Sequence, residues 1–398
     1  MRNKRLVKVA GVLVGLTLLA AACGDDDSSS SGDGGSDGGG DVKELSIAFV
    51  GPLTGSAANL GIYIRDGATV AVDQFNDAHG DEFHITLEEF DTQGDPAQAP
   101  TVLDEYIGNE DIVGLVGPAF SGETKAVLPT LTEEGLVMVS ASATAVDIPS
   151  TVPGGASFHR VLPDAAAQAN GIVKYFDTVL KPKTIALVHD NSDYGKGLAE
   201  DSLKPLLGDY QIVAEEVIDP ESEDFSAAVN SVKAANPDAV FYGGYYEEAG
   251  QLKKQLTDAG VESQFVSGDG ALDVGFIDAA GDAAEGAILS CPCYFASPEA
   301  DVPAIADFAT AYEDIIGNPA GTYSTEAFDA ANILLTGILE GNTDRASLLD
   351  YVESLKKVDY AISKEVVFKD DGNIEAQGIF LFEVKDGAIV LKSATDDL

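Results

Sequence analysis

The side chains of this sequence that could do chemistry are gathered in five short polar loops. They are Ser121 in "GPAFSGET", Ser142 and Thr144 in "SASAT", Tyr194 in "HDNSDYGKG", Tyr245 in "GGYYEEAG" and Asp269 in "SGDGA". Ser121 falls where a helix N-cap is expected. The N–H groups after it then point outward with the positive end of the helix dipole, and a carboxylate could accept from them and from the Ser121 hydroxyl. "SASAT" adds the Ser142 backbone and the Thr144 hydroxyl, and its small residues let a ligand approach the chain closely. A zwitterion also needs an anion for its ammonium, because an unpaired buried charge is costly. Asp269, flanked by Gly268 and Gly270, is placed to supply it. Tyr194 and Tyr245 could cover a ligand with their rings and hydrogen-bond through their hydroxyls. Each residue also has a plainer reading: a cap of its own helix, a polar loop, an Asx-turn, a core ring. Because the loops are poor in Lys and Arg, they suit a small zwitterion better than a polyphosphate.

Enzyme chemistry finds little support. No G-x-S-x-G elbow, phosphate-binding G-x-x-x-x-G-K-[ST] or dinucleotide-binding G-x-G-x-x-G occurs. His189 and Asp190 adjoin in a strand pattern, so they face opposite ways and form no relay; His189 reads as structural. Besides Cys23, the only cysteines are Cys291 and Cys293 in "LSCPCYF". In an extended chain their Cα atoms would lie about 6.5 Å apart, the upper edge of disulfide geometry. A strained disulfide and two buried thiols both remain open there. Two sulfurs with four scattered His do not make a metal site. No cofactor is expected.

The loops need a frame, and the sequence supplies one in two rounds. Short apolar strands ("LSIAFVG", "HITLEEFD", "IVGLVGP", "LVMVSAS") alternate with helical stretches such as "AANLGIYIRDGATVAVDQFNDA" and "PAQAPTVLDEYIGN". A long helix, "DAAAQANGIVKYFDTVL", leads into a second round: "TIALVHD", "YQIVAEEV", "AVFYGGY" and "QFVSGDG". This alternation predicts an α/β fold of two similar lobes with parallel sheets flanked by helices. The candidate residues fall at the C-terminal ends of strands, where open parallel sheets hold their ligands. Two further helical stretches, "VPAIADFATAYEDIIG" and "STEAFDAANILLTGILEG", precede "EVVFKDDGNIEAQGIFLFEVKDGAIVLKS", which reads as hairpins.

Ahead of the frame, Arg2, Lys4, Arg5 and Lys8 precede an uncharged run from Val9 to Ala22. That run is too short for a hydrocarbon core of about 30 Å and fits a signal peptide over residues 1–22. It is similar to the lipobox of bacterial lipoproteins, with Ala20 where Leu is more usual and Leu19 one place earlier. Cys23 is then the expected lipidation site, anchoring the chain to a membrane without spanning it. Gly24 to Asp41 are all Gly, Ser or Asp, so residues 23–41 read as a lipidated Cys with a solvated tether of about 23 Å r.m.s. reach. Loss of the four leader charges takes the formal net charge from −44 to −48. Such acidity argues against a nucleic-acid partner and against direct adhesion to anionic lipid. The roughly 355 residues after the tether exceed what a single core usually holds.

"IAFVGPLTG", "GPAFSGET", "MVSASATA", "IALVHDNSDYGKGLAE", "DAVFYGGYYEEAGQLKKQ" and "QFVSGDGA" occur in an order that resembles the leucine/isoleucine/valine-binding proteins of branched-chain amino acid ABC transporters. These are type I periplasmic binding proteins, and the resemblance runs from about Leu45 to the end. It implies lobe 1 from residues 45–162 plus 293–366, lobe 2 from 163–292 plus 367–398, and a three-segment hinge. It implies that Ser121, Ser142 and Thr144 hold a ligand carboxylate, that Tyr194 and Tyr245 close over it, and that Asp269 takes the ammonium. Leu60 and Tyr323 would flank the ligand side chain. The chain departs from that family at Leu60, where the branched-chain binders carry an aromatic residue, and at Asp269, where they carry Glu. It also lacks their first-lobe disulfide, with Phe120 at one of its positions. The implied protein is a monomeric, lipid-anchored solute receptor on the outer face of the cytoplasmic membrane. It would capture a branched-chain or other small amino acid, or an amide, and pass it to an ABC permease. A ligand-sensing partner of a signalling receptor and, further off, a secreted hydrolase are the rival readings.

Overall fold

Two separate sheets carry the chain in a computed structural model that describes residues 42–398 apart from 154 and 156. The expected signal peptide, Cys23 and tether lie outside the described residues. The first sheet is built from β1 (Lys43–Gly51), β2 (Phe83–Asp91), β3 (Ile112–Val116), β4 (Val137–Ser140) and β5 (Phe158–Arg160). Its order is β2-β1-β3-β4-β5 and every neighbour is parallel. Its connections are α1 (Ala58–His79), α2 (Ala99–Ile107), α3 (Ser121–Glu133) and the single turn α4 (Ile148–Thr151). From Leu45 onward β1 is buried at every residue, as are β3 and β4. Continuous apolar runs of this kind arise where helices cover both faces of a parallel sheet.

After α5 (Ala165–Tyr175) the pattern repeats with β6 (Thr184–His189), α6 (Asp193–Lys196), β7 (Gln211–Val217), α7 (Ser226–Ala235), β8 (Ala239–Gly243), α8 (Tyr246–Asp258), β9 (Gln264–Ser267), α9 (Val274–Ala280) and β10 (Ile288–Cys291). These five strands are parallel in the order β7-β6-β8-β9-β10. The helix read through Leu180 changes character on the way: α5 stops at Tyr175, and Phe176–Leu180 continues as a π-turn closed by Lys181 at φ 52°.

The chain then returns to the first sheet with α10 (Pro303–Ile316), α11 (Ser324–Leu339) and α12 (Arg345–Ser354). Helix α11 packs along α1 and over β3, while α12 covers β3 and β4. A small pair, β11 (Lys357–Val358) and β12 (Val366–Val367), leads back to the second sheet. There β13 (Phe380–Lys385) and β14 (Ala388–Ala394) form the expected hairpin and extend the sheet beyond β10 in antiparallel sense. The chain therefore passes between the sheets three times, at 161–164, 292–302 and 368–379. At the second passage it bends instead of extending. The Cα atoms of Cys291 and Cys293 lie 5.0 Å apart and the two sulfurs are bonded.

Candidate functional site

The loops at the C-terminal edge of the first sheet are held by a network that includes several candidates. Ser121 is the first residue of α3, not its cap; Phe120 holds the cap position and donates its N–H to Glu123 Oε2 at 2.9 Å. Glu123 also accepts from the Thr92 hydroxyl. Burial pushes its carboxyl from 4.5 up to about 7, against the lowering effect of those two hydrogen bonds. The Ser121 hydroxyl accepts from the Ala145 N–H at 3.1 Å, and the Ser142 hydroxyl donates to the Ala119 carbonyl at 2.5 Å. The Thr144 hydroxyl is fully buried and has no protein partner. Behind this loop Arg160, at the end of β5, donates to the Ala143 and Ala145 carbonyls at 2.9 and 3.0 Å. It also reaches Asn373 Oδ1 at 2.7 Å, on the third passage between the sheets. That guanidinium sets the backbone on either side of Thr144.

The second sheet presents Tyr194 from α6, Tyr245 at the N-cap of α8, and Asp269 just after β9. Tyr194 donates its hydroxyl to Asp269 Oδ1 at 2.6 Å and accepts the Gly270 N–H at 2.8 Å. Tyr323, at the start of α11, donates to Asp269 Oδ2 at 2.5 Å. Its backbone sits at φ 69°, a costly conformation for an aromatic residue and one that gathers at functional sites. A Cβ at residue 268 or 270 would meet the Tyr194 ring or hydroxyl at 2.5–2.6 Å, so only glycine allows the tyrosine so close on both sides of Asp269.

Asp269 is fully buried, and its partners in these bonds are neutral hydroxyls. None of the ion pairs among the described residues includes it. Burial raises its carboxyl above the usual range, while hydrogen bonds from Tyr194 and Tyr323 pull it down. Burial, then the Asp269 charge, lifts the Tyr194 and Tyr323 hydroxyls well above their usual value, so both remain donors. The result is a buried anion furnished with donors but lacking a counter-cation.

The two edges meet around a cavity of about 10 Å³, room for roughly one water. Its walls are Phe120, Ser121, Ser142, Tyr194, Tyr245, Gly270 and Tyr323. Phe120 and Tyr245 close it with ring centroids 4.5 Å apart, and Tyr194 lies 5.3 Å beyond Tyr245. Five of the expected residues thus line one space, and Asp269 stands directly behind two of them. Thr144 and Leu60 are buried outside the cavity wall, Leu60 in the first turn of α1. Lys125 of α3 binds Asp147 at 2.8 Å and Asp193 of α6 at 2.7 Å, linking the two edges nearby. His189 accepts the Asn191 N–H at Nδ1 and pairs with Glu200 through Nε2. Sequence reasoning did not assign Phe120 to the wall; its place just before α3 in "GPAFSGET" was the available signal. Arg160 left no such signal, because its acceptors are carbonyls and a residue 213 positions away.

A protein family described as "Periplasmic binding protein" matches residues 44–388. The Leu/Ile/Val-binding protein BraC3 of Rhizobium johnstonii is 32% identical over 352 residues, spanning 87% of this chain and 93% of its own length. Among solved structures, the branched-chain amino acid transporter substrate-binding protein LivJ of Streptococcus pneumoniae, in complex with isoleucine, superposes with a TM-score of 0.79. It is 26% identical, with coverage of 88% of this chain and 99% of that one. A leucine-binding protein from Thermotoga maritima, 22% identical, shares the fold with a TM-score of 0.78 over 89% of this chain and all of its own.

Proposed function

Since the chain belongs to the periplasmic binding protein family, whose members bind solutes and are not enzymes, we propose that it captures a small amino acid between its two sheets. The favoured ligand has an aliphatic side chain, in keeping with the Leu/Ile/Val-binding relative and the isoleucine-bound neighbour. The observation that carries this reading is Asp269: a fully buried carboxylate with two hydroxyl donors and no cation. A ligand ammonium supplies the missing charge and removes the cost of leaving it unpaired. The Thr144 hydroxyl, buried without a partner, and the free N–H groups at the start of α3 are offered to the ligand carboxylate. The four rings around the cavity cover the aliphatic body.

A cavity of about 10 Å³ admits an amino acid only when its walls separate. We therefore assign lobe 1 to 45–162 plus 293–366 and lobe 2 to 163–292 plus 367–398, hinged at the three passages between the sheets. Opening the hinge loads the ligand, and closing it brings Tyr194, Tyr245 and Asp269 against Ser121 and Ser142. Lipidation at Cys23 and a tether over 24–41 would hold this receptor at the outer face of the membrane, within reach of a permease. The deciding experiment is a thermal-shift screen of the unfolded and refolded full chain against the twenty amino acids and small amides. Leucine, isoleucine or valine at 100 times its Kd should add about 2.7 kcal/mol of stability. If none of the amino acids or amides shifts a well-folded sample, the assignment of Asp269 and Thr144 to a zwitterion is wrong.

A further inference from the structure

A second cavity, of about 590 Å³, lies apart from the one between the strand edges. Its walls include Tyr63 and Asp66 of α1, Asp273 and Val274 at the start of α9, Phe295, and Tyr312 of α10. Its size falls in the range of small-molecule sites. Three aromatic rings and two carboxylates face it, and no Lys or Arg is among its lining residues.

The two carboxylates differ. Asp66 is already neutralised: Arg65 binds its Oδ1 at 2.5 Å, and Tyr312 donates to its Oδ2 at 3.3 Å. Asp273 is not. It is only 2% exposed, and its Oδ1 accepts from Asn59 Nδ2 at 2.8 Å and from the Gly275 N–H at 2.7 Å. Its Oδ2 is buried and makes no well-formed hydrogen bond, although the Tyr63 hydroxyl lies near enough for its pKa to be raised by burial and then by the Asp273 charge. No ion pair among the described residues includes Asp273. A buried carboxylate oxygen without a donor is costly and calls for one. The surroundings say which kind. No group of three or more His, Cys, Asp or Glu side chains placed for a metal occurs among the described residues. Aromatic faces, in contrast, stabilise organic cations about 6 Å from their centres.

We propose that this cavity is a second ligand site, for a small organic cation whose ammonium pairs with Asp273 Oδ2 and whose apolar body lies against Tyr63, Phe295 and Tyr312. The test titrates the full chain with benzylamine, with benzyl alcohol as the neutral isostere. Wild type binds the amine at least tenfold more tightly than the alcohol. Asp273→Asn keeps the Oδ1 bonds and an N-cap residue but removes the charge, and it weakens benzylamine at least tenfold. Val274→Lys at a half-exposed position places a competing ammonium at the same cavity and has the same effect without disturbing buried atoms. Asp269→Asn leaves benzylamine binding unchanged. The site is refuted by equal affinity for the alcohol, by unchanged affinity in Asp273→Asn and Val274→Lys, or by no binding to wild type at millimolar amine. Loss of benzylamine in Asp269→Asn alone refutes it too, because the amine would then occupy the first cavity. The last outcome leaves the reading of Asp269 standing, so the two proposals fail separately.

Discussion

The charge economy of single residues decides what this molecule can hold. Asp269→Asn keeps the shape of the carboxylate and its place between Tyr194 and Tyr323, but it removes the only charge there for an ammonium. Truncating one half of a buried charge pair costs about 2–5 kcal/mol, so leucine affinity should drop by at least about thirtyfold with the melting temperature unchanged or raised. Unchanged affinity in calorimetry would dismiss the pairing. Glu123 offers a second measurement that needs no ligand. Its folded carboxyl, raised from 4.5 to about 7, binds its proton more tightly than in the unfolded chain. The stability this contributes is complete below about pH 4.5 and gone once the pH passes about 7. Glu248, raised by burial to about 7, acts in the same direction. Glu123→Gln, which can still accept from Phe120 N–H and donate to Thr92, should flatten part of the fall in melting temperature across that window. Ser121, Ser142, Tyr194, Tyr245 and Asp269 could be marked in the sequence by their joint place at strand ends, although each alone read as readily as a cap, a turn or a core ring. Phe120 had only its place just before α3 as a signal, and an aromatic residue beside a helix start looks the same whether it faces a core or a cavity.

Elements were easier to read than their joints. The central strands of the two rounds follow the apolar runs closely, because burial on both faces leaves little room for polar residues, while the edge strands β2 and β7 keep their polar residues exposed or half-exposed. What escaped were β5 (three residues), β10 (four residues beside a Pro) and α12. The Asp344–Ser347 capping box of α12 was visible in "DRAS", yet its helix is short and weakly amphipathic. The packing of α1 on α11 gives a prediction at this scale. A methyl on Gly67 would lie 2.2 Å from the Ser324 carbonyl, so Gly67→Ala must push the helices apart. We expect a loss of about 1–3 kcal/mol in urea unfolding; a neutral result would show that α11 yields freely. Arg160→Met should destabilise by a similar amount, since three buried hydrogen bonds are lost and the backbone around Thr144 is freed. Its leucine affinity should fall as well, which a purely structural arginine would not require.

For the molecule as a whole, the proposed closure of the lobes is the event to measure. Lys125 joins α3 to α6 and is itself mostly covered, but its partners Asp147 and Asp193 are 58% and 45% exposed, so the bridge is worth little and is screened. Lys125→Ala should weaken leucine about two- to fivefold at low salt, with the difference fading at high salt. A salt-independent change would mean that Lys125 acts otherwise. The order of the elements along the chain has a further consequence, for how the protein is made. The first sheet is complete at β5, but α11, which covers it alongside α1, comes only at Ser324–Leu339, after the five parallel strands of the second sheet. A chain emerging from the ribosome, or threading through an export pore, therefore carries a naked apolar face on its oldest part until its last quarter arrives. Nascent chains stopped before residue 324 should bind a hydrophobic dye or a holding chaperone and release it once α11 is added. Among such intermediates it is the early half, not the late one, that is most exposed to aggregation.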